Sequence, residues 1–135
     1  GCLKNKLRSF IDKNDLQNEI TLLDYKKNPY PYIKQADIFL LSSKYEGLPN
    51  VLLEAAVMKK FIISSNCSTG PREILSDGKF GNLFKVGDYK KLSTLLIKSQ
   101  KQNNNKKIKL CYEGLKRYDF DKNLSNYLKY INSFC

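Results

Sequence analysis

Apolar residues along the first hundred positions follow two alternating patterns. Short apolar runs bounded by polar residues, such as Ile38–Leu41, are typical of buried strands. Longer segments between them carry the apolar spacing of helices. The predicted order is helix (about 2–13), strand (Ile20–Leu23), helix (Pro31–Gln35), strand (Ile38–Leu41), helix (Asn50–Met58), strand (Phe61–Ser64), helix (Pro71–Leu75) and strand (Leu83–Val86). This alternation predicts an α/β fold with a Rossmann-like parallel sheet flanked by helices on both faces.

The pattern after Asp88 predicts helices to the end of the sequence. Asp88 is the expected cap of a helix that has Leu92, Leu95, Leu96 and Ser99 on one face. A polar connector at 101–107 precedes two helices, over about 106–117 and about 121–133. We therefore expect one domain over 1–135, with an α/β core over about 1–100 and a helical tail over about 101–135.

The segment Tyr45–Ala55 carries the most specific chemistry. Gly47 permits a sharp turn after the preceding strand, and Pro49 suits the first position of a helix because proline has no N–H to leave unpaired. Leu48 would then be the cap, and leucine has no side-chain oxygen for capping. The N–H groups of Asn50, Val51 and Leu52 are therefore expected to be free. Such a helix end attracts anions.

Two carboxylates flank this predicted anion site. Glu54 lies in a helix that is apolar almost all round, and a buried carboxylate is costly unless it accepts hydrogen bonds. The two hydroxyls of a ribose would satisfy it, while Glu46 is placed to accept from a second sugar. Alternatively, Glu54 pairs with a lysine and Glu46 is merely solvated. Burial of Pro49 in the core, or an ion pair of Glu54 far from any cleft, would contradict the sugar-binding interpretation.

The segment around Glu46 and Glu54 resembles the donor-binding motif of the GT4 family of retaining glycosyltransferases. Further segments match the same family in the same order, over most of residues 1–100: Asn28–Asp37, Phe61–Ser65, Cys67–Leu75 and Asp77–Phe84. The family has a two-domain architecture, GT-B, in which Rossmann-like halves face a cleft. The resemblance implies that this chain belongs to the C-terminal half, which holds the nucleotide-sugar.

The resemblance also implies roles for residues. Glu46 would act on the donor sugar, the backbone of Gly47, Leu48, Pro49, Asn50, Val51 and Leu52 would bind the diphosphate, and Glu54 would bind the ribose. Tyr25 and Lys26 would lie near the base. No metal and no cofactor beyond the donor is implied; we expect a UDP-linked hexose or N-acetylhexosamine. The expected product is a bacterial surface glycan or glycoconjugate.

The chain departs from the family pattern in three places. Lys59 and Phe61 stand where the family usually has Gly and Pro, and Asp24 stands where it often has Gly. The family's Arg/Lys pair for the leaving diphosphate would lie before Gly1. The chain therefore resembles a fragment, inactive alone, whose partners are the N-terminal GT-B domain of the same polypeptide, the nucleotide-sugar, and a glycan or lipid-linked acceptor.

The composition of the chain indicates which partners and which cellular location to expect. The net charge of +11 favours anionic partners, although the cations are spread along the chain. It is compatible with a cytoplasmic protein that contacts the inner face of the plasma membrane. No secretory signal or membrane-length apolar run is visible. The four cysteines form no CxxC pair and there is no histidine, so reduced thiols are the simpler expectation than a zinc site.

Two other functions remain open at this point. A non-catalytic basic module for RNA or an acidic membrane would show steep salt dependence. Its expected basic stripe with interleaved aromatics is not seen in the sequence, so we expect no nucleic acid partner. A GT-B nucleotide-sugar epimerase would need acid and base side chains, which carboxylates alone would have to supply because histidine is absent.

Overall fold

The computed structural model describes residues 3–132; for residues 127 and 130–132 it describes the backbone only. The helices are α1 (Lys4–Lys13), α2 (Tyr30–Gln35), α3 (Asn50–Val57), α4 (Pro71–Ile74), α5 (Tyr89–Lys101), α6 (Asn105–Gly114) and α7 (Phe120–Asn132). A 3-10 helix (Leu115–Tyr118) separates α6 from α7. The strands are β1 (Ile38–Leu41), β2 (Phe61–Ser65) and β3 (Asn82–Phe84).

The three strands form one parallel sheet in the order β1-β2-β3. Ile38 pairs with Phe61 at one end of β1, and Leu41 pairs with Ser64 at the other. Ile63 then pairs with Asn82 of β3. All five residues of the central strand β2 are buried, as expected for a parallel strand that is covered on both faces. The predicted parallel sheet is confirmed.

Side chains of β2 alternate between the two faces of the sheet. Ile62 joins a core cluster with Leu52, Ala55 and Ala56 of α3 and with Cys111 of α6. Phe61 and Ile63 join Phe84 in a second cluster on the other face, covered by apolar residues of α5. Helix α5 presents Leu92, Leu95 and Leu96 to this cluster, as its spacing predicts. The sheet is thus a middle layer between helices.

One predicted strand does not form. Residues 20–23 have no ladder partner and adopt irregular structure, with Ile20 and Leu23 exposed. A strand requires a neighbour for its backbone groups, and β2 is the only strand paired with β1 among residues 3–132. The apolar run alone was therefore an insufficient signal, and the expectation of a strand at Ile20–Leu23 is wrong.

The helical part of the chain follows the prediction closely. Asp88 caps α5, since its Oδ1 accepts a hydrogen bond from the N–H of Lys91 at 2.9 Å. The expected division into an α/β core and a helical tail near residue 100 stays a prediction. Cys111 of α6, which follows that boundary, lies within the core beside α3. The side chains of Tyr127 and Tyr130, and the residue Phe134, lie outside the described part of the chain. No helix within residues 3–132 is long and apolar enough to cross a bilayer.

Candidate functional site

The carboxyl ends of β1 and β2 place two loops next to each other. Residues 42–49 follow β1, and residues 66–70 follow β2. Because the strands are adjacent and parallel, both loops lie at the same edge of the sheet. Ligands of open α/β sheets bind at this edge. The motif singled out in the sequence is therefore in the expected place.

Hydrogen bonds tie the two loops together. The carbonyl of Ser43 accepts from Ser65 Oγ at 2.7 Å and from Cys67 Sγ at 3.0 Å. The hydroxyl of Thr69 donates to the carbonyl of Glu46 at 2.6 Å. Gly70, in the left-handed region at φ +84°, lies so close that a Cβ there would be 2.0 Å from the carbonyl oxygen of Gly47. The loops therefore behave as one unit.

The start of α3 differs in detail from the prediction. Pro49 is the N-cap, with extended backbone, and Asn50 is the first helical residue, so the expected capping role of Leu48 is wrong. The N–H of Leu52 donates to the carbonyl of Pro49 at 2.9 Å. Leu52 is also fully buried. Its amide is therefore not free for a ligand, because the first turn closes on Pro49.

The remaining amide groups at this end have no partner. Helix α3 has no side-chain cap. Within residues 3–132, the N–H groups of Gly47, Leu48, Asn50 and Val51 donate to no acceptor. Unpaired amides at a helix N-terminus carry a partial positive charge. Four donors are thus available where the sequence predicted an anion site.

Pro49 is buried, and burial of this proline in the core was expected to contradict the sugar-binding interpretation. Its ring lies under Gly70, where an added Cβ would come within 2.5 Å of Pro49 Cδ. The next residue, Asn50, is exposed. The proline therefore anchors the loop beneath its neighbour, and the helix end above it remains accessible.

Both predicted carboxylates are half-buried. In the described part of the chain, neither Glu46 nor Glu54 forms an ion pair, and neither carboxylate accepts a hydrogen bond. Helix α3 is less enclosed than predicted, because Val57 is 58% exposed. The lysine pair considered as an alternative for Glu54 does not form. Both carboxylates are free to accept hydrogen bonds from a ligand.

Tyr25 and Lys26 are not joined to the motif by any hydrogen bond within residues 3–132. Tyr25 is 91% exposed, and Lys26 Nζ lies 6.0 Å from the centre of the Tyr32 ring. The neighbouring Asp24 pairs with Lys4, which lowers the pKa of this carboxyl. The structure therefore provides no contact that supports a base-binding role for this segment.

A shallow cleft lies beside the paired loops. It has a volume of about 470 Å³ and is lined by Ser68, Thr69, Gly70, Arg72, Glu73 and Asp77. Arg72 forms an ion pair with Asp77, which lowers the pKa of Asp77. Lys44 is exposed. The local sequence pattern did not predict the hydrogen bond of Thr69 to the carbonyl of Glu46.

The parallel sheet with helices on both faces matches the fold of the C-terminal, Rossmann-like half of GT-B glycosyltransferases. The sequence profile of the Glycosyl transferases group 1 family matches residues 1–117. The chain belongs to this family, as the resemblance in its motifs predicted.

Curated relatives are glycosyltransferases. An uncharacterized glycosyltransferase of Methanocaldococcus jannaschii is 49% identical over 75 residues, covering 56% of this chain and 18% of the relative. The Campylobacter jejuni N-acetylgalactosamine-N,N'-diacetylbacillosaminyl-diphospho-undecaprenol 4-alpha-N-acetylgalactosaminyltransferase is 30% identical over 131 residues. That match covers 86% of this chain and 36% of the relative.

A solved structure of the Anabaena protein HepE in complex with UDP has the same fold. The TM-score is 0.83 at 17% identity, covering 96% of this chain and 36% of HepE. The chain thus spans between 18% and 36% of the length of these relatives.

Proposed function

We propose that this chain is the donor-binding part of a retaining, metal-independent glycosyltransferase that uses a nucleotide-sugar. The observation that carries the proposal is the set of four amides at the start of α3, between two carboxylates, all of them without a partner among residues 3–132. A diphosphate satisfies amide donors at a helix N-terminus. Sugar hydroxyls on its two sides would satisfy the carboxylates.

Each group has one role in the proposal. The amides of Gly47, Leu48, Asn50 and Val51 bind the diphosphate, and Glu54 accepts from the ribose hydroxyls. Glu46 orients the transferred sugar. When the bond from the anomeric carbon to the phosphate oxygen breaks, negative charge grows on the diphosphate. Fixed amide donors stabilise that charge in the transition state.

The donor we propose is a UDP-linked hexose or N-acetylhexosamine. The UDP in the HepE structure and the name of the Campylobacter relative, an N-acetylgalactosaminyltransferase, support this donor. The acceptor would be a glycan or lipid-linked glycan, bound mainly by an N-terminal GT-B domain of the same polypeptide. Other relatives act in capsule and lipopolysaccharide synthesis, which supports a bacterial surface glycan as the product.

The proposed location is the cytoplasm, with contact at the inner face of the plasma membrane. The net charge of +11 favours an acidic surface, and a lipid-linked acceptor would be presented there. The chain of 135 residues should bind UDP and transfer no sugar by itself.

Titration of the ¹⁵N-labelled chain with UDP tests the proposal. Amide shifts should concentrate at Gly47, Leu48, Asn50 and Val51. Glu54→Ala should weaken UDP binding about ten-fold or more, since a hydrogen bond to a charged group contributes about 1.5–3 kcal/mol. Glu113→Ala is the control, because Glu113 is an exposed glutamate on α6 that shares a cavity with Val57 and Lys59, at the opposite end of α3 from the unpaired amides.

Three outcomes contradict the proposal. One is the absence of shifts in the wild type, and another is equal binding by Glu54→Ala and the wild type. The third is equal binding of UDP and inorganic diphosphate with a steep salt dependence, which would favour a general anion-binding module.

A further inference from the structure

We propose that Thr69 is a positioning residue for the anion site, although it lies outside the motif. The inference rests on the proposed function and names a residue that acts through the backbone of Glu46. Thr69 is exposed and lies 23 positions from Glu46 in the chain. Its hydroxyl nevertheless donates to the Glu46 carbonyl at 2.6 Å.

The geometry of the peptide bond gives this contact its consequence. Residues 3–132 contain no cis peptide, so the C=O of Glu46 and the N–H of Gly47 point in opposite directions. By holding the carbonyl towards the loop after β2, Thr69 directs the N–H of Gly47 away from that loop. This N–H is one of the four unpaired donors.

The next peptide has the same orientation. The carbonyl oxygen of Gly47 lies 2.0 Å from where a Cβ of Gly70 would be, so this carbonyl also faces the loop after β2. The N–H of Leu48 is consequently turned away from it. Two successive amides are thus presented on the side opposite Thr69, as in the backbone concavities that bind anions.

Gly47 explains why such a restraint is needed. Nothing in the described part of the chain lies within 4 Å of the position that a Cβ would occupy there. Glycine also has more backbone freedom than any other residue. Without the Thr69 hydroxyl, the peptide between Glu46 and Gly47 loses its hydrogen bond to the neighbouring loop and samples other orientations.

UDP titration of ¹⁵N-labelled variants tests the inference. Thr69→Val keeps the side-chain shape and removes the hydroxyl, so UDP should bind about five-fold more weakly, as for the loss of one hydrogen bond. The Gly47 amide signal should also move before UDP is added. Thr69→Ser retains the hydroxyl and should restore both properties.

A matched control is available on α5. The hydroxyl of Thr94 also donates to a backbone carbonyl, that of Lys90, at 3.0 Å. Thr94→Val should leave UDP binding unchanged. If Thr69→Val proves unfolded, the comparison is made between Thr69→Ser and Thr69→Ala.

The outcomes separate the two proposals. If the wild type binds UDP and Thr69→Val binds it with the same affinity, the role of Thr69 is overturned and the donor site stands. In the fallback comparison, equal affinity of Thr69→Ala and Thr69→Ser for UDP has the same meaning. A failure of Thr69→Ser to restore binding also overturns it, because the hydroxyl would not be the group that matters. No UDP binding by the wild type overturns the donor site itself, and the role of Thr69 with it.

Discussion

The ammonium group of Lys107 lies 2.7 Å from Oδ1 of Asn82, at the start of β3. It also donates to the carbonyls of Gly81 at 2.8 Å and Gly78 at 3.0 Å. One side chain of α6 therefore satisfies three acceptors in the turn that leads into the sheet. Burial and the nearby Lys98 lower the pKa of Lys107.

Lys107→Met should lower the free energy of unfolding by about 1–3 kcal/mol, because the three acceptors lose their common donor. Urea unfolding measures the change. Lys106→Met is the control, since Lys106 is an exposed neighbour on the same helix and should change stability by less than about 0.5 kcal/mol. Equal effects of the two substitutions would show that the three hydrogen bonds contribute little.

Gly70→Ala should destabilise the protein and displace the motif loop. Its backbone is left-handed at φ +84°, and the added Cβ would collide with the carbonyl of Gly47. Gly87→Ala separates these effects, because Gly87 has φ +82° with nothing within 4 Å. We expect Gly87→Ala to cost about 1–2 kcal/mol, from backbone strain alone, and Gly70→Ala to cost more. Urea unfolding compares the two, and a smaller loss for Gly70→Ala would contradict the close approach.

Lys59 follows α3 in the left-handed region at φ +55°. The N–H of Lys60 bonds to the carbonyl of Ala55, and that of Lys59 to Ala56, which is the hydrogen-bond pattern of a glycine-terminated helix. Lys59→Gly should therefore be more stable than Lys59→Ala by about 1 kcal/mol. Both variants lose the contact with the Tyr112 ring, so their thermal or urea unfolding compares the net backbone effect of glycine and alanine at this position. Greater stability of the alanine variant would contradict this interpretation.

Cys111 should make stability fall in alkaline solution. Burial raises the pKa of its thiol from 9.0 to about 11, against a smaller opposing effect of Arg117. The unfolded chain releases the proton first, so the contribution is complete below pH 9 and is lost as the pH rises towards 11. Urea unfolding between these pH values should show a shallower decline for Cys111→Ala than for the wild type. Parallel declines would mean that Cys111 is not the group responsible.

Most of the fold could be predicted from local sequence pattern. The bounds of β1 match the prediction because four apolar residues stand between polar neighbours. Lys59, which departs from the family pattern, adopts the backbone conformation that glycine prefers. The strand expected at Ile20–Leu23 failed because pairing is a property of two segments, and no local pattern contains the second one.

The candidate site was predictable in part for a similar reason. Glu46, Glu54 and the free amides of Asn50 and Val51 follow from residue types within eleven positions of sequence. The contacts of Ser43 and Thr69 could not be predicted, because each joins loops more than twenty positions apart. The bond from Leu52 to Pro49 depends on where the first helical turn closes, which a propensity argument places only to within a residue or two.

Strand β1 is paired on one side only among residues 3–132, and all four of its residues are apolar. No lysine, proline or bulge within it discourages a second strand from adding to its open side, whereas natural sheets usually protect such sides. Leu40 of this strand is 38% exposed. At high concentration the isolated polypeptide should consequently oligomerise through the open side of β1. The average molar mass measured by light scattering should then increase with protein concentration.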